Sequence, residues 1–148
     1  WIGSGLDSLH SQKEGSSRVV TQFLGHIARG ENIKLVDGGL QRRSFTDVSD
    51  GVSALVKIIE NRDGIADGKI YNIGNSNPVE LLEFIGEVES ALGRKAQKEL
   101  LDMQPGDVPA TYADVDDLMQ DVGFKPATTI EDGIGRFVKW YKNYYGIK

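Results

Sequence analysis

The chain has 148 residues, 39% of them hydrophobic and 26% charged, which suits one globular domain with a modest core. A net charge of −5 argues against a broad nucleic-acid-binding face, because phosphate neutralisation needs clustered Lys and Arg in excess. With no cysteine there is no disulfide, thiolate metal site or cysteine nucleophile, and no apolar run nears the roughly 20 residues of a membrane span. Trp1 opens no signal-peptide pattern, so a soluble cytoplasmic protein is expected.

In chain order, Ser16 or Ser17 can cap a helix whose apolar positions Val20, Phe23, Leu24 and Ile27 recur at helical spacing, with Gly30 as its stop. Ile33–Val36 alternates as a strand and ends at Asp37-Gly38-Gly39. Ser44-Phe45-Thr46 reads as a strand leading to a helix that Asp47 caps while Asp50 reaches back in a capping-box-like arrangement, with Val52, Leu55, Val56 and Ile59 as its apolar face. Lys69–Ile73 is a short predicted strand before Gly74.

Asn77-Pro78-Val79-Glu80 then predicts a helix start, with Leu82, Ile85, Val88 and Leu92 following and Gly93 ending it. Asp114 caps a helix to Val122, stopped by Gly123. Thr128 with Glu131 predicts a capping box for a last helix bearing Ile134, Phe137, Val138 and Tyr141. Five helices and three or four short strands make the class mixed α/β.

Several groups invite a chemical reading beside a plain one. Arg42 and Arg43 follow a Gly-Gly turn and could grip a diphosphate bidentately, or form an exposed pair. Arg18, at a helix start, and Lys34 could attract an anionic sugar acid, or be surface charge. Pro105-Gly106-Asp107 could present a carboxylate to hydroxyls, or be an ordinary turn. His10 and His26 stand isolated, without metal-ligand spacing. Asp114, Asp116, Asp117 and Asp121 read as cap and solvated face rather than a cation site, and Trp140, Tyr141, Tyr144 and Tyr145 as packing or interface residues.

The stretch from Asp37 to Asp50, DGGLQRRSFTDVSD, resembles the middle of extended short-chain dehydrogenase/reductase proteins acting on UDP-sugars, the NAD-dependent epimerase/dehydratase family. Its Gly-x-x-x-Arg-x-Phe-Thr-x-Val-x-Asp pattern, Gly39 to Asp50, implies that Arg43 rather than Arg42 contacts the nucleotide diphosphate. Residues 1–71 resemble the UDP-glucuronate decarboxylase domain of bifunctional polymyxin-resistance proteins, which implies Arg18 and Lys34 as sugar-nucleotide ligands. Residues 104–148 resemble UDP-glucuronate 4-epimerases, through Met103–Asp114, Val122–Pro126 and the terminal Trp140-Tyr141. That resemblance implies Gln104 as typical of the glucuronate branch and Asp107 as an acid on the ribose hydroxyls.

The two resemblances meet between 72 and 103, where a hybrid junction within the single substrate-binding domain 1–148 would fall. Decarboxylases carry a proton-donating arginine near where Asp116 stands here, and an acid cannot replace that cation, so the resemblance favours the epimerase. What is implied is the C-terminal, UDP-glucuronate-binding part of an NAD-dependent epimerase without its N-terminal Rossmann unit. The family's active-site tyrosine and its NAD belong to that other part, so neither catalysis nor cofactor binding is expected of this chain alone. Tyr144 and Lys148 have the tyrosine–lysine spacing but are interrupted by Gly146, and Gly3-Ser4-Gly5 is no dinucleotide fingerprint. Two alternatives are a decarboxylase fragment and a truncated or recombined chain acting as a structural, self-associating module through the surface the Rossmann half would cover.

Overall fold

The computed structural model describes Ile2, residues 19–61, Gly64, residues 67–103 and residues 108–147. Its architecture is mixed α/β: five helices and four short strands among the described residues. Helix α1, Val19–Arg29, buries Val20, Phe23, Leu24 and Ile27 as their spacing predicts, and stops at Gly30 with φ +73°. Strand β1, Asn32–Val36, alternates as expected, with Ile33 and Leu35 wholly buried.

Three further helices follow, ending where their patterns indicate. Helix α2 is Val48–Ile59, α3 is Leu81–Leu92 and α4 is Asp116–Val122, the last two stopped by left-handed Gly93 and Gly123. Helix α5, Ile130–Tyr145, turns Ile134, Phe137, Val138 and Tyr141 inward. The main core is a layer of α1, α3 and α5 over β1, with 17 buried hydrophobic residues among those described. Phe84 is at its centre, stacked on Phe45 at 4.7 Å between ring centroids and tilted against Phe23 at 6.4 Å.

Strand β4, Gln97–Leu101, is absent from the sequence reading. It pairs parallel with β1, from Asn32↔Gln97 to Val36↔Leu101. Four of its five residues are exposed, so it carries no apolar alternation by which to find it. The Arg42–Arg43 dipeptide is itself strand β2, antiparallel to Val79–Glu80, strand β3; Ser44-Phe45-Thr46 only follows it. Consequently the third helix starts at Leu81, not in the Asn77-Pro78-Val79-Glu80 segment. Val79 and Glu80 are committed to the ladder, and Glu80 precedes the helix without a side-chain cap.

Capping differs from expectation in three further places, the first at α4, where Val115 rather than Asp114 is the cap residue and no side chain caps the helix. Asp47 does cap α2, accepting from the Ser49 N–H at 2.9 Å and from the Ser49 hydroxyl at 2.6 Å. Asp50 does not turn back to it. Its carboxylate instead accepts from the Ala127 and Thr128 N–H groups at 3.1 and 2.8 Å and from the Thr128 hydroxyl at 2.9 Å, tying α2 to the chain before α5. With Thr128 so engaged, Thr129 takes over as cap of α5, accepting from the Asp132 N–H at 3.2 Å.

The apolar face expected of α2 is the largest correction. Val52, Leu55, Val56 and Ile59 are 53%, 52%, 45% and 81% exposed. Gly51, Ala54 and Ile58 turn inward instead, toward a small second core whose buried members are Ala54, Val115 and Leu118. Lys69–Ile73 forms no strand; Tyr71 and Ile73 pack against this second core as irregular chain. No described helix is long and apolar enough to cross a membrane.

A candidate nucleotide-sugar site at the strand ends

Because β1 and β4 run parallel, their carboxyl ends lie at one edge, and both loops leaving that edge reach β2. From β1 the chain turns through Asp37, Gly38 and Gly39, all at positive φ, of 52°, 61° and 80°. Asp tolerates that conformation better than most residues, and Gly39 is doubly required, since a Cβ there would be 3.0 Å from the Leu82 side chain. From β4 the chain returns at Val108–Ala110. The Arg42 N–H donates to the Pro109 carbonyl at 2.8 Å, and the Thr111 N–H donates to the Arg42 carbonyl at 3.1 Å. Arg42 and Arg43 therefore have β3 on one side and the second loop's exit on the other. Loops at strand carboxyl ends are where open α/β folds gather ligand contacts.

Within this patch the Arg43 guanidinium is held by neutral acceptors. One nitrogen donates to the Arg42 carbonyl and another to Gln41 Oε1, each at 2.8 Å. Gln41 is buried, and its Nε2 has no hydrogen-bond partner among the described residues. An unsatisfied buried donor costs about 1–3 kcal/mol, so Gln41 is held inward at a cost while its Oε1 positions Arg43. Arg42 leans away, donating to the Pro78 carbonyl at 3.1 Å. Among the described residues, neither arginine nor Lys34 is paired with a carboxylate. Gln41 was missed in the sequence, where an amide beside two arginines offers no signal until its burial is known.

The other expected ligands are placed unevenly. Lys34 is exposed on β1 and lines a cavity of about 130 Å³ with Gln22, Phe23, His26 and Asn32, a cavity whose walls do not include Arg43. Arg18, Gln104 and Asp107 lie outside the described residues, as do His10 and Lys148. The Arg42–Pro109 hydrogen bond nonetheless brings Val108–Ala110, the described residues that follow Gln104 and Asp107 in sequence, to the arginine strand.

The acids near α4 are mostly engaged locally. Asp121 accepts from Lys69 Nζ at 2.6 Å and from the Tyr71 hydroxyl at 2.8 Å; the Lys69 ammonium first, then the hydroxyl, hold its carboxyl below the ordinary range. Asp117 stands 3.4 Å from Lys69 Nζ, and Asp114 accepts the Asp116 N–H at 3.1 Å. Asp117 and Asp121 clamp Lys69 and Asp114 closes a turn ahead of α4, and no cluster suited to a metal ion occurs among the described residues. Asp116 lines a groove of about 350 Å³ with Tyr112, Asp114 and Lys125. His26 faces the Asn32 carbonyl at 3.2 Å.

Glu89 is the main buried acid. Burial pushes its carboxyl up, but hydrogen bonds from Lys95, Lys98 and the Ala96 N–H, at 2.7, 2.9 and 3.0 Å, outweigh that and hold it at about 2. It fastens the turn between α3 and β4.

A dinucleotide cradle needs a strand, a glycine turn and a helix whose N-terminus faces the pyrophosphate. Here the glycine turn after β1 leads into strand β2, so that segment does not fit NAD. Tyr144 is more than half exposed on α5, and Gly146, at φ +65°, ends the helix before it could set the tyrosine and lysine on one face.

The family model for NAD-dependent epimerases and dehydratases matches residues 1–74. Protein CapI of Staphylococcus aureus is 42% identical over 84% of this chain and 42% of its own length. The crystal structure of the PbgP3 protein from Burkholderia pseudomallei superposes with a TM-score of 0.72 at 44% identity, covering 99% of this chain and 45% of that one. The UDP-glucuronic acid 4-epimerase of Bacillus cereus, in complex with UDP-glucuronic acid and NAD, shares the fold at a TM-score of 0.77 and 23% identity, over 86% of this chain and 40% of that chain. The chain spans less than half the length of each of these proteins. On the family match and these likenesses, the chain belongs to the NAD-dependent epimerase/dehydratase family.

Proposed function

We propose that this chain supplies the sugar-nucleotide-binding part of an NAD-dependent epimerase, with UDP-glucuronate as its ligand. The carrying observation is the Arg43–Gln41 pair. A guanidinium with no carboxylate partner among the described residues sits beside a buried, unsatisfied amide donor, where the loops from two parallel strands converge. A diphosphate offers the negative charge that the arginine lacks, and Gln41 Oε1 holds the guanidinium in place to meet it. Lys34 and Arg18 suit the glucuronate carboxylate, Gln104 a neighbouring polar group and Asp107 the ribose hydroxyls. The Bacillus cereus enzyme, 40% of whose chain shares this fold, was solved in complex with UDP-glucuronic acid and NAD.

The chain's own chemistry in this reading is binding and orientation. It holds the diphosphate and fixes the sugar's position, while the hydride step of a complete enzyme uses NAD held elsewhere. Alone, the chain is not catalytic. A cysteine-free chain handling a nucleotide sugar suits the cytoplasm.

Calorimetric titration with UDP and with UDP-glucuronate tests the reading, with Arg43→Ala as the control. Loss of a charge-assisted hydrogen bond of about 1.5–3 kcal/mol weakens binding by roughly 10–100-fold. The absence of heat with either ligand, or equal affinity for the Arg43→Ala variant, sinks it.

A further inference from the structure

We propose that the Ser44 and Thr46 hydroxyls are positioning groups for the arginine site: they fasten the chain that carries Arg43 to the Asn75 peptide and so aim its guanidinium. The consequence for affinity rests on the diphosphate reading above, whereas the aiming itself does not.

Strand β2 is only two residues long, a short ladder on which to fix a long side chain. Past Arg43 the chain is secured by side chains instead. The hydroxyls of Ser44 and Thr46 meet at one residue: Ser44 Oγ donates to the Asn75 carbonyl, and Thr46 Oγ1 accepts from the Asn75 N–H at 2.9 Å. Phe45, between them, stacks on Phe84 in the main core. Both backbone groups of Asn75 are thus satisfied by side chains from a single segment, in place of a ladder. Thr46 is buried, so the N–H it accepts from has little water to turn to.

The far side of this clamp is itself held. Asn75 Nδ2 donates to the Thr128 carbonyl at 3.4 Å, and its Oδ1 accepts from the Asn77 N–H at 2.9 Å. Thr128 is bound in turn to Asp50 of α2 through its N–H and hydroxyl. Just before Asn75, Gly74 is packed so closely that a Cβ there would be 2.7 Å from the Ala113 Cβ. The guanidinium depends on this outer frame. Its own hydrogen bonds go to the Arg42 carbonyl and to Gln41 Oε1, both on the same short stretch, so they fix its direction only relative to that stretch. The β3 ladder and the bonds to Pro109 and Thr111 hold the stretch up to Arg43; the two hydroxyls hold it beyond.

The test is an NMR titration of the full chain with UDP for Ser44→Ala, Thr46→Val and Thr46→Ser, each made also in the Arg43→Ala background and each titrated well below its Tm. Ser44→Ala and Thr46→Val should weaken UDP binding about 5-fold or more, in the range of coupling between residues that share a network, while Thr46→Ser, which keeps the hydroxyl, should stay within about 2-fold. In the Arg43→Ala background none of the three should matter, because nothing is left to aim. Ser44→Ala carries the test if Thr46→Val, at a buried position, does not fold. Unchanged affinity overturns the proposal. So do equal losses in both backgrounds, which would make the hydroxyls supports of the fold alone. If UDP fails to bind, or Arg43→Ala binds it as well as the parent, the diphosphate reading falls, and the NMR order parameter of the Arg43 Nε–H decides the aiming without a ligand. It should drop in Ser44→Ala and Thr46→Val and hold in Thr46→Ser. Equal order in all three overturns the proposal.

Discussion

The two halves of the molecule are built to different standards of burial. Around α1, α3 and α5 the helices face one another across close-packed aromatic and aliphatic side chains, with Phe84, Leu24 and Ile134 wholly buried. Around α2 and α4 only three of the described hydrophobic residues are buried, and hydrogen bonds do much of the fastening: Asp50 to residues 127 and 128, and Asp121 to Lys69 and Tyr71. A hydrophobic core holds its shape without help, whereas a polar clamp fixes position without contributing much area. The first half is a finished scaffold. The second is held largely by polar clamps and leaves Val52, Leu55, Val56 and Ile59 of α2 in solvent.

The sharpest way to break this contrast is to remove volume from each half. Phe84→Ala empties the centre of the main core and should cost about 3–5 kcal/mol in urea unfolding. Leu118→Ala, equally buried but in the smaller cluster, should cost nearer ~2 kcal/mol, the low end for leucine, because fewer neighbours surround the hole. Equal losses would show the two cores to be one cooperative body.

An intermediate effect comes from Glu89, on the scaffold side. An ordinary glutamate titrates near 4.5, whereas Glu89 is held at about 2, so the folded chain binds fewer protons than the unfolded chain between those values. Its stabilisation is complete above pH 4.5 and is lost as pH falls toward 2. Glu89→Gln should therefore flatten the decline in stability between pH 5 and pH 3 relative to the parent chain, measured as urea midpoints. Parallel pH curves for the two proteins would remove Glu89 from the account. The smallest effect is expected at the open face: Leu55→Ala in the chain alone should change stability by less than ~0.5 kcal/mol.

The sequence was most readable where local pattern and tertiary packing agree. Helices α1 and α5 carry their apolar residues at helical spacing and are bounded by glycines, and both bury the residues so marked. Periodicity reports that a side needs covering without saying by what, which is why Val52, Leu55, Val56 and Ile59 read as core and stand in solvent. Strand β4 was invisible because Gln97, Lys98 and Glu99 gain their partner from β1, far away in sequence. Pro78 signalled a helix start, yet Val79 and Glu80 were drawn into the ladder with the arginines. At the site, the family pattern singled out Arg43, and the structure sets it beside Gln41, whose significance depends on burial that no local pattern encodes.

The parallel pairing of β1 with β4 also orders events in time. Asn32 and Gln97 are partners about 65 residues apart, and the loop they close contains the whole of α2 and α3. Closing so long a loop costs entropy before the contacts it enables are made, which slows folding relative to a chain of neighbouring helices. Until that closure, the two loops that frame Arg43 have no common edge from which to emerge. The arginine site is thus assembled late, as a product of long-range closure, and cannot be carried by any short segment cut from the chain.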